Sequence, residues 1–116
     1  YVRDDIVCGT CRFCFVNDAQ QKQFVSDALS RTKKVLVSGD YNLVILDEII
    51  CAINLGFVVI DEFLQMLGKK YKNTEVVCTG RCAPEQLIEV ADYVTDMKSE
   101  KHPFDKGVHA RRGIEY

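Results

Sequence analysis

Short apolar runs alternate along this chain with segments whose apolar residues recur at helical spacing. Residues 43–46 and 76–78 are continuous apolar runs, which predict strands that are buried on both faces of a sheet. A further short strand is predicted at residues 93–95, which read Tyr-Val-Thr and therefore have high strand propensity. The chain after residue 98 is polar and punctuated by glycine, so we expect a loop or tail there.

Three helices are predicted around these strands. The first lies between an N-cap at Asp18 and Gly39, which stops the helical pattern. The second spans about 60–67 and has Gly68 as its candidate C-cap. The third has Pro84 in its first turn, a position where proline is favoured.

The alternation of strands and helices indicates parallel crossover connections, and therefore a layered α/β sheet in one domain over residues 1–116. A formal net charge of −2 gives no field that would attract nucleic acid or anionic lipid. No apolar run approaches the ~20 residues of a membrane span, so we expect no membrane contact. Six cysteines without a secretory signal favour a reduced, cytoplasmic protein over a disulfide framework.

An acidic pair directly follows the first apolar run. Asp47 and Glu48 stand where a Walker B element places its carboxylates, which hold Mg²⁺ beside a triphosphate. The alternative is a helix start, with Asp47 as the N-cap and Glu48 in the first turn. Nowhere does the chain contain the G-x-x-x-x-G-K-[ST] loop that cradles phosphates, so this is half of a nucleotide site.

The next strand is followed by Thr79, Gly80 and Arg81. A glycine allows a sharp backbone turn, and an arginine beyond it can bind phosphate. A plain strand-to-helix turn with a solvated arginine explains the same residues. Since ligands sit beyond the carboxyl ends of parallel strands, this segment, the acidic pair and the segment after Cys8 form the candidate site.

The last third of the chain carries a series of short motifs. They are Thr79-Gly80-Arg81, Ala83-Pro84-Glu85, Leu87-Ile88-Glu89, residues 91–97, Lys101-His102-Pro103-Phe104-Asp105-Lys106-Gly107-Val108 and Ala110-Arg111-Arg112-Gly113-Ile114-Glu115-Tyr116. In these motifs, in residues 41–48 and more weakly in residues 9–15, the chain resembles the P-loop type of ATP:corrinoid adenosyltransferase, found in cobalamin biosynthesis and salvage. The closing run is long and hard to match by chance.

The resemblance implies a RecA-like, three-layer α/β domain of the P-loop NTPase type with a mainly parallel sheet, usually in a homodimer. It implies an enzyme that transfers the 5′-deoxyadenosyl group of ATP to a cobalt(I) corrinoid, giving an adenosylcobalamin-type product and triphosphate. Such a protein must align C5′ with cobalt and neutralise the leaving triphosphate. The implied partners are ATP, Mg²⁺, the corrinoid, and a flavoprotein or similar reductant of cobalt.

By matching position, Asp47 and Glu48 serve the Mg²⁺. The residues expected to contact ATP or its phosphates are Arg81, Thr79, Gly80 and Arg111. His102 is a hypothetical corrinoid contact, whereas Lys101 and Arg112 receive no individual role. A solvated basic tail is the alternative for these tail residues, and no residue is assigned as catalytic.

An aromatic pair is expected to touch the corrinoid. The family's Phe-x-Trp pair, which excludes the lower axial ligand of a four-coordinate cobalt(II) corrinoid, maps to Phe13 and Phe15. Phe15 departs from the tryptophan but keeps an apolar wedge. The alternative for both side chains is core packing.

The largest departure from the family concerns the phosphate loop. Family members begin with a strand and a loop of the Walker A kind, and this chain starts after it. That first strand lies beside the Walker B strand, so its absence would leave an unpaired sheet edge. We therefore expect residues upstream; the alternative is a fragment that cannot perform the chemistry alone.

Two other functions remain open. Cys8, Cys11 and Cys14 have the spacing of an iron–sulfur or zinc ligand run, to which Cys78 or Cys82 could add a ligand in space. A catalytically inactive nucleotide-binding protein is the second alternative.

Overall fold

The computed structural model describes residues 18–114 of the chain. Residues 19–94 form one compact unit, and the described residues from Thr95 onward belong to a second unit. The elements in chain order are α1 (Asp18–Ser38), β1 (Leu43–Leu46), α2 (Ile49–Asn54), α3 (Ile60–Leu67), β2 (Glu75–Cys78), α4 (Glu85–Val90) and a 3₁₀ turn (Pro103–Lys106). Within this range no helix combines the length and the apolar character needed to cross a membrane.

The two described strands pair in parallel, with Leu43 opposite Glu75 and Leu46 opposite Cys78. Both predicted strands are confirmed, β2 beginning one residue earlier than predicted. The crossover from β1 to β2 contains α2 and α3, as a parallel connection requires. The structure is therefore compatible with a layered α/β domain of the P-loop type.

The prediction that both strands are buried on two faces is wrong for the described part of the chain. Leu43, Ile45 and Val77 alternate with half-buried neighbours and remain 53%, 60% and 42% exposed. Successive side chains of a strand point to opposite faces. The described residues build a core on one face only, so the other face stays open to solvent.

The core lies between the helices and the covered face of the sheet. Its buried members are Ile50, Val58, Phe63 and Leu87. From the sheet, Leu46 and Cys78 pack against this cluster, as do Val25 and Leu29 of α1. Residues 25 and 29 are four positions apart and so share one face of α1, as the hydrophobic pattern predicts.

The end of α1 is fixed by a close backbone turn. Gly39 has φ 73°, and a Cβ atom there would lie 3.2 Å from the Tyr71 ring. The backbone N–H of Tyr71 donates to the Leu36 carbonyl at 2.7 Å. Leu36 is fully buried. The predicted helix stop at Gly39 is confirmed, because only glycine takes this conformation readily so close to a ring.

Two other sequence predictions need correction. Residues 93–95 do not form a strand, and the Tyr93 side chain is 94% exposed. High strand propensity is not sufficient without a neighbouring strand, and no described strand pairs with this segment. Pro84 is the N-cap of α4 rather than a residue of its first turn, whereas Gly68 is the C-cap of α3 as predicted.

Candidate functional site

The acidic pair and the Thr79 segment meet at the carboxyl edge of the sheet. The Thr79 hydroxyl donates to Asp47 Oδ1 at 2.6 Å and accepts from the backbone N–H of Glu48 at 2.9 Å. The Thr79 backbone N–H donates to the Leu46 carbonyl at 3.2 Å, which extends the β1–β2 ladder. Parallel strands end at the same edge, so the structure brings together the residues that the sequence placed there.

Neither carboxylate of the pair caps α2. Glu48 is the N-cap residue, but no side-chain hydrogen bond caps this helix, and no acidic residue lies in its first turn. The Asp47 carboxylate binds Thr79 instead. The helix-start alternative, with Asp47 as the N-cap and Glu48 in the first turn, is therefore wrong: Glu48 is the N-cap, and Asp47 accepts a hydrogen bond from Thr79 of the neighbouring segment.

Glu48 has an unusual backbone conformation. Its φ is 56° and its ψ is 17°, in the left-handed region that non-glycine residues rarely adopt. The Glu48 carbonyl accepts hydrogen bonds from the backbone N–H groups of Cys51 and Ala52, at 3.0 and 3.2 Å. The backbone therefore turns directly from β1 into α2 at this residue.

A thiol that the sequence reasoning missed contacts Glu48. Cys51 Sγ donates to Glu48 Oε2 at 2.7 Å. This hydrogen bond, and secondarily burial, raise the pKa of the Cys51 thiol, against an opposing hydrogen bond from the Arg81 backbone. The available signal was the spacing of three residues at a helix start, which places two side chains on one face.

Gly80 brings the Thr79–Arg81 turn against the start of α2. Its φ is 144°, and a Cβ atom there would lie 2.6 Å from the Ile50 Cβ and 3.1 Å from the Cys51 nitrogen. The Ile50 N–H donates to the Thr79 carbonyl at 3.2 Å. The sharp turn expected from this glycine is present, and close packing against α2 is an additional reason for it.

Asn54, a second residue that the sequence reasoning missed, anchors the Arg81 backbone. Its side-chain amide donates to the carbonyls of Arg81 at 2.8 Å and of Cys82 at 3.0 Å. Cys82 is itself in the left-handed region, with φ 55°. The Arg81 side chain is exposed, so the backbone is fixed while the guanidinium faces solvent. A polar residue ending the apolar α2 was the only signal in the sequence.

The donor set of the acidic pair fits Mg²⁺. Asp47 Oδ2 and Glu48 Oε1 accept no hydrogen bond from the described residues, whereas Oδ1 and Oε2 are occupied. Mg²⁺ is usually held by one or two carboxylates, with water and phosphate oxygens completing its shell. Residues 18–114 contain no group of three or more His, Cys, Asp or Glu side chains that could hold a metal alone. The two free carboxylate oxygens thus suit a Mg²⁺ site whose remaining ligands are water and phosphate oxygens, rather than one formed by protein side chains alone.

The remaining predicted site residues do not belong to the compact unit 19–94 or fall outside the described residues. His102 and Arg111 belong to the second unit, where His102 Nδ1 accepts from the Phe104 N–H at 3.1 Å at the start of the 3₁₀ turn. Phe13 and Phe15 lie outside the described residues, as do Cys8, Cys11 and Cys14. The three cysteines within residues 18–114 are free thiols. The functional roles of all these residues, and of those at the sheet edge, stay predictions.

The fold and this edge define a class of protein. Two parallel strands that end in an acidic pair, beside a glycine turn followed by arginine, are compatible with a layered α/β domain of the P-loop type.

Comparisons with known proteins identify the family. The family model of ATP:corrinoid adenosyltransferase BtuR/CobO/CobP matches residues 6–116. A corrinoid adenosyltransferase of Sinorhizobium sp. is 36% identical over 99 residues, which cover 84% of this chain and 46% of that protein. A corrinoid adenosyltransferase of Pseudomonas aeruginosa is 37% identical over 83 residues, covering 72% and 41%. The corresponding Escherichia coli K12 protein is 32% identical over 84 residues, covering 72% and 43%.

The chain belongs to the ATP:corrinoid adenosyltransferase family, whose curated members are transferases. The family resemblance found in the motifs is confirmed. The chain spans less than half the length of each of these relatives. The iron–sulfur or zinc alternative is not favoured, since the family model extends over the cysteine segment as well.

Proposed function

We propose that this protein transfers the 5′-deoxyadenosyl group of ATP to the cobalt(I) of a corrinoid, releasing triphosphate, in cobalamin biosynthesis or salvage. The observation that carries the proposal is the family match over residues 6–116. The sheet edge supports it, because an acidic pair with two free oxygens lies beside the turn that leads to Arg81. ATP and the corrinoid are the substrates that the family implies.

In this proposal, Asp47 and Glu48 hold Mg²⁺ through the free oxygens Oδ2 and Oε1. The bound ion would neutralise charge on the triphosphate as it leaves. The two carboxylates are held at one edge, so they present their free oxygens without first having to be ordered. Ordering in advance lowers the free-energy cost of binding the metal and nucleotide.

Arg81 is proposed to bind the phosphates. The Asn54 amide fixes the backbone of the Arg81 turn through two carbonyls and leaves the guanidinium exposed. A guanidinium can donate two parallel hydrogen bonds to a phosphate group and stays charged at every physiological pH. Gly80 and Arg111 are proposed as further contacts to ATP or its phosphates.

The corrinoid is proposed to contact Phe13, Phe15 and His102. The aromatic pair would exclude a lower axial ligand and so favour a four-coordinate cobalt(II), which is easier to reduce. We further infer a RecA-like, three-layer sheet, a homodimer, a cytoplasmic location and a flavoprotein or similar reductant, all of which the family resemblance supports.

The test uses the protein expressed from its complete gene, with ATP, Mg²⁺ and a chemically reduced corrinoid. We expect an adenosylcorrinoid and triphosphate in equal amounts, measured by chromatography. Glu48→Gln removes one charged Mg²⁺ ligand without changing side-chain size, so kcat/KM should fall about 100-fold, the usual loss for one electrostatic group in an active site.

Glu89→Gln provides the matched control, because Glu89 is an exposed carboxylate of α4 far along the chain from the acidic pair. Its kcat/KM should remain within about 2-fold of wild type, since exposed charges contribute little. No adenosylcorrinoid from the wild-type protein, or equal rates for the two glutamine variants, would show that the proposed function or the proposed metal ligand is wrong.

A further inference from the structure

Thr79 occupies a position where the sequence suggests a phosphate contact, but its hydroxyl is already engaged. A threonine hydroxyl has one proton to donate. Thr79 gives that proton to Asp47 Oδ1 at 2.6 Å, and its oxygen accepts from the Glu48 N–H at 2.9 Å. Hence no hydroxyl proton remains for a phosphate oxygen in this arrangement.

The Asp47 contact belongs to the strongest class of neutral-to-ionised hydrogen bonds. Hydroxyl donors to carboxylates lie at about 2.5–2.7 Å when the acceptor is ionised. The contact leaves Asp47 Oδ2 as the oxygen that accepts nothing from the described residues. Thr79 thus determines which oxygen of Asp47 is available to a cation.

Thr79 also holds the unusual backbone of Glu48. Left-handed conformations of non-glycine residues persist only where surrounding contacts fix them. Thr79 contacts the chain on both sides of Glu48, since its N–H donates to the Leu46 carbonyl and its carbonyl accepts from the Ile50 N–H, both at 3.2 Å. The Thr79 hydroxyl also accepts a hydrogen bond from the Glu48 N–H itself. Thr79, the residue that follows β2, therefore fixes the backbone between β1 and α2.

We infer that Thr79 is a positioning residue, whose hydroxyl orients Asp47 and Glu48 toward a divalent cation instead of touching ATP. The inference rests on the proposed function, in which this pair serves Mg²⁺. It assigns Thr79 a role that differs from a phosphate contact in one measurable respect. Loss of the hydroxyl should weaken metal binding first, and nucleotide binding only through the metal.

The test compares Thr79→Val, which keeps the shape but loses both side-chain hydrogen bonds, with Thr79→Ser, which keeps the hydroxyl. In the adenosyl-transfer assay, Thr79→Val should raise the Mg²⁺ concentration for half-maximal rate by about 10- to 100-fold, the range expected for losing a hydrogen bond to a charged group. Its KM for ATP at saturating Mg²⁺ should change by less than about 3-fold, and Thr79→Ser should match wild type in both constants. A Thr79→Val variant with an unchanged Mg²⁺ requirement and a raised KM for ATP would overturn the inference in favour of a phosphate contact.

A second readout does not depend on activity. Mn²⁺ binding to the protein without nucleotide, followed by electron paramagnetic resonance, should be weakened about 10-fold or more by Thr79→Val and abolished by Glu48→Gln. If wild type binds Mn²⁺ but forms no adenosylcorrinoid, the proposed function fails while the positioning role stands. If Thr79→Val binds Mn²⁺ as wild type does, the positioning role fails while the proposed function stands.

Folding of the variants is checked by thermal unfolding in each case. Should Thr79→Val not fold, Thr79→Cys retains a weaker donor in a side chain of similar size. Its Mn²⁺ affinity should then lie between those of wild type and Glu48→Gln. An affinity equal to that of wild type would contradict the inference.

Discussion

Gly80 is the residue at which fold and candidate site depend most directly on one another. Replacing it with alanine places a Cβ atom 2.6 Å from the Ile50 Cβ, a separation at which the backbone or α2 must shift. The substitution also forces an L-residue to φ 144°, which costs on the order of 1–3 kcal/mol. Overpacking adds typically about 1–3 kcal/mol, so we expect Gly80→Ala to destabilise the protein by about 2–6 kcal/mol.

The matched control for this prediction is Gly56→Ala. Gly56 also has a positive φ, 72°, but a Cβ atom there would meet nothing within 4 Å. Its cost is limited to the left-handed penalty of about 1–2 kcal/mol, partly offset by the reduced entropy of the unfolded chain. The free energy of unfolding, measured with urea for both variants, should therefore be lower for Gly80→Ala by at least about 1 kcal/mol. Equal unfolding free energies would refute the reasoning, because the contact with Ile50 would then carry no energetic cost.

Further predictions concern the core and the thiol beside the acidic pair. Leu36→Ala should lower the free energy of unfolding by about 2–5 kcal/mol in urea titrations, because Leu36 is fully buried. Leu55→Ala, at a side chain that is 51% exposed, should lower it by less than about 1 kcal/mol, and similar losses for the two variants would contradict the burial of Leu36. The hydrogen bond from Cys51 to Glu48 raises the pKa of the Cys51 thiol above the ordinary 9.0. The bond therefore stabilises the folded protein below about pH 9, and this stabilisation disappears as the pH rises through the higher pKa of the folded state. Iodoacetamide labelling at about pH 8.5, mapped by mass spectrometry, should therefore modify Cys51 several-fold faster in Glu48→Ala than in wild type, with the Cys82 rate as internal reference; an unchanged ratio would refute the thiol–carboxylate contact.

Helical periodicity and end signals predicted α1, α3 and α4 but not α2. The bounds of α3 agree with the predicted 60–67, and the predicted stop of α1 at Gly39 is confirmed. The six residues of α2 span fewer than two turns, and α2 has no proline at its start like the one that indicated the equally short α4. This short helix depends on tertiary contacts, chiefly the burial of Ile50 and the hydrogen bond from Ile50 to Thr79.

Apolar runs predicted the strands but not their surroundings. Apolar residues on both faces of β1 indicate that each face would gain stability from burial, but they do not indicate which segment of the chain covers it. In the described residues one face has a core and the other leaves Ile45 60% exposed. The same distinction explains residues 93–95, where strand propensity is present but no described strand pairs with the segment.

In the candidate site, too, some features could be predicted from the sequence and others could not. That Asp47 and Thr79 share an edge followed from the parallel topology, which needs only the order of strands and helices. The contacts of Cys51 and Asn54 could not be predicted from the order of strands and helices, because each contact depends on the direction of the side chain in the folded protein. Asn54, for example, reaches two carbonyls 27 and 28 residues further along the chain.

Backbone strain gives an independent reason to place function at this edge. Within residues 18–114, the two non-glycine residues with positive φ are Glu48 and Cys82, which lie on the acidic side and the Arg81 side of the site. Each is held by a side chain from the opposite segment, Glu48 by the Thr79 hydroxyl and Cys82 by the Asn54 amide. Conformations that cost on the order of 1–3 kcal/mol persist where other contacts enforce them, and they cluster at functional sites. The contacts that enforce the strained backbone also fix the acidic pair and the Arg81 backbone. The free-energy cost of the strain is therefore accompanied by a fixed arrangement of the groups proposed to bind Mg²⁺ and phosphate.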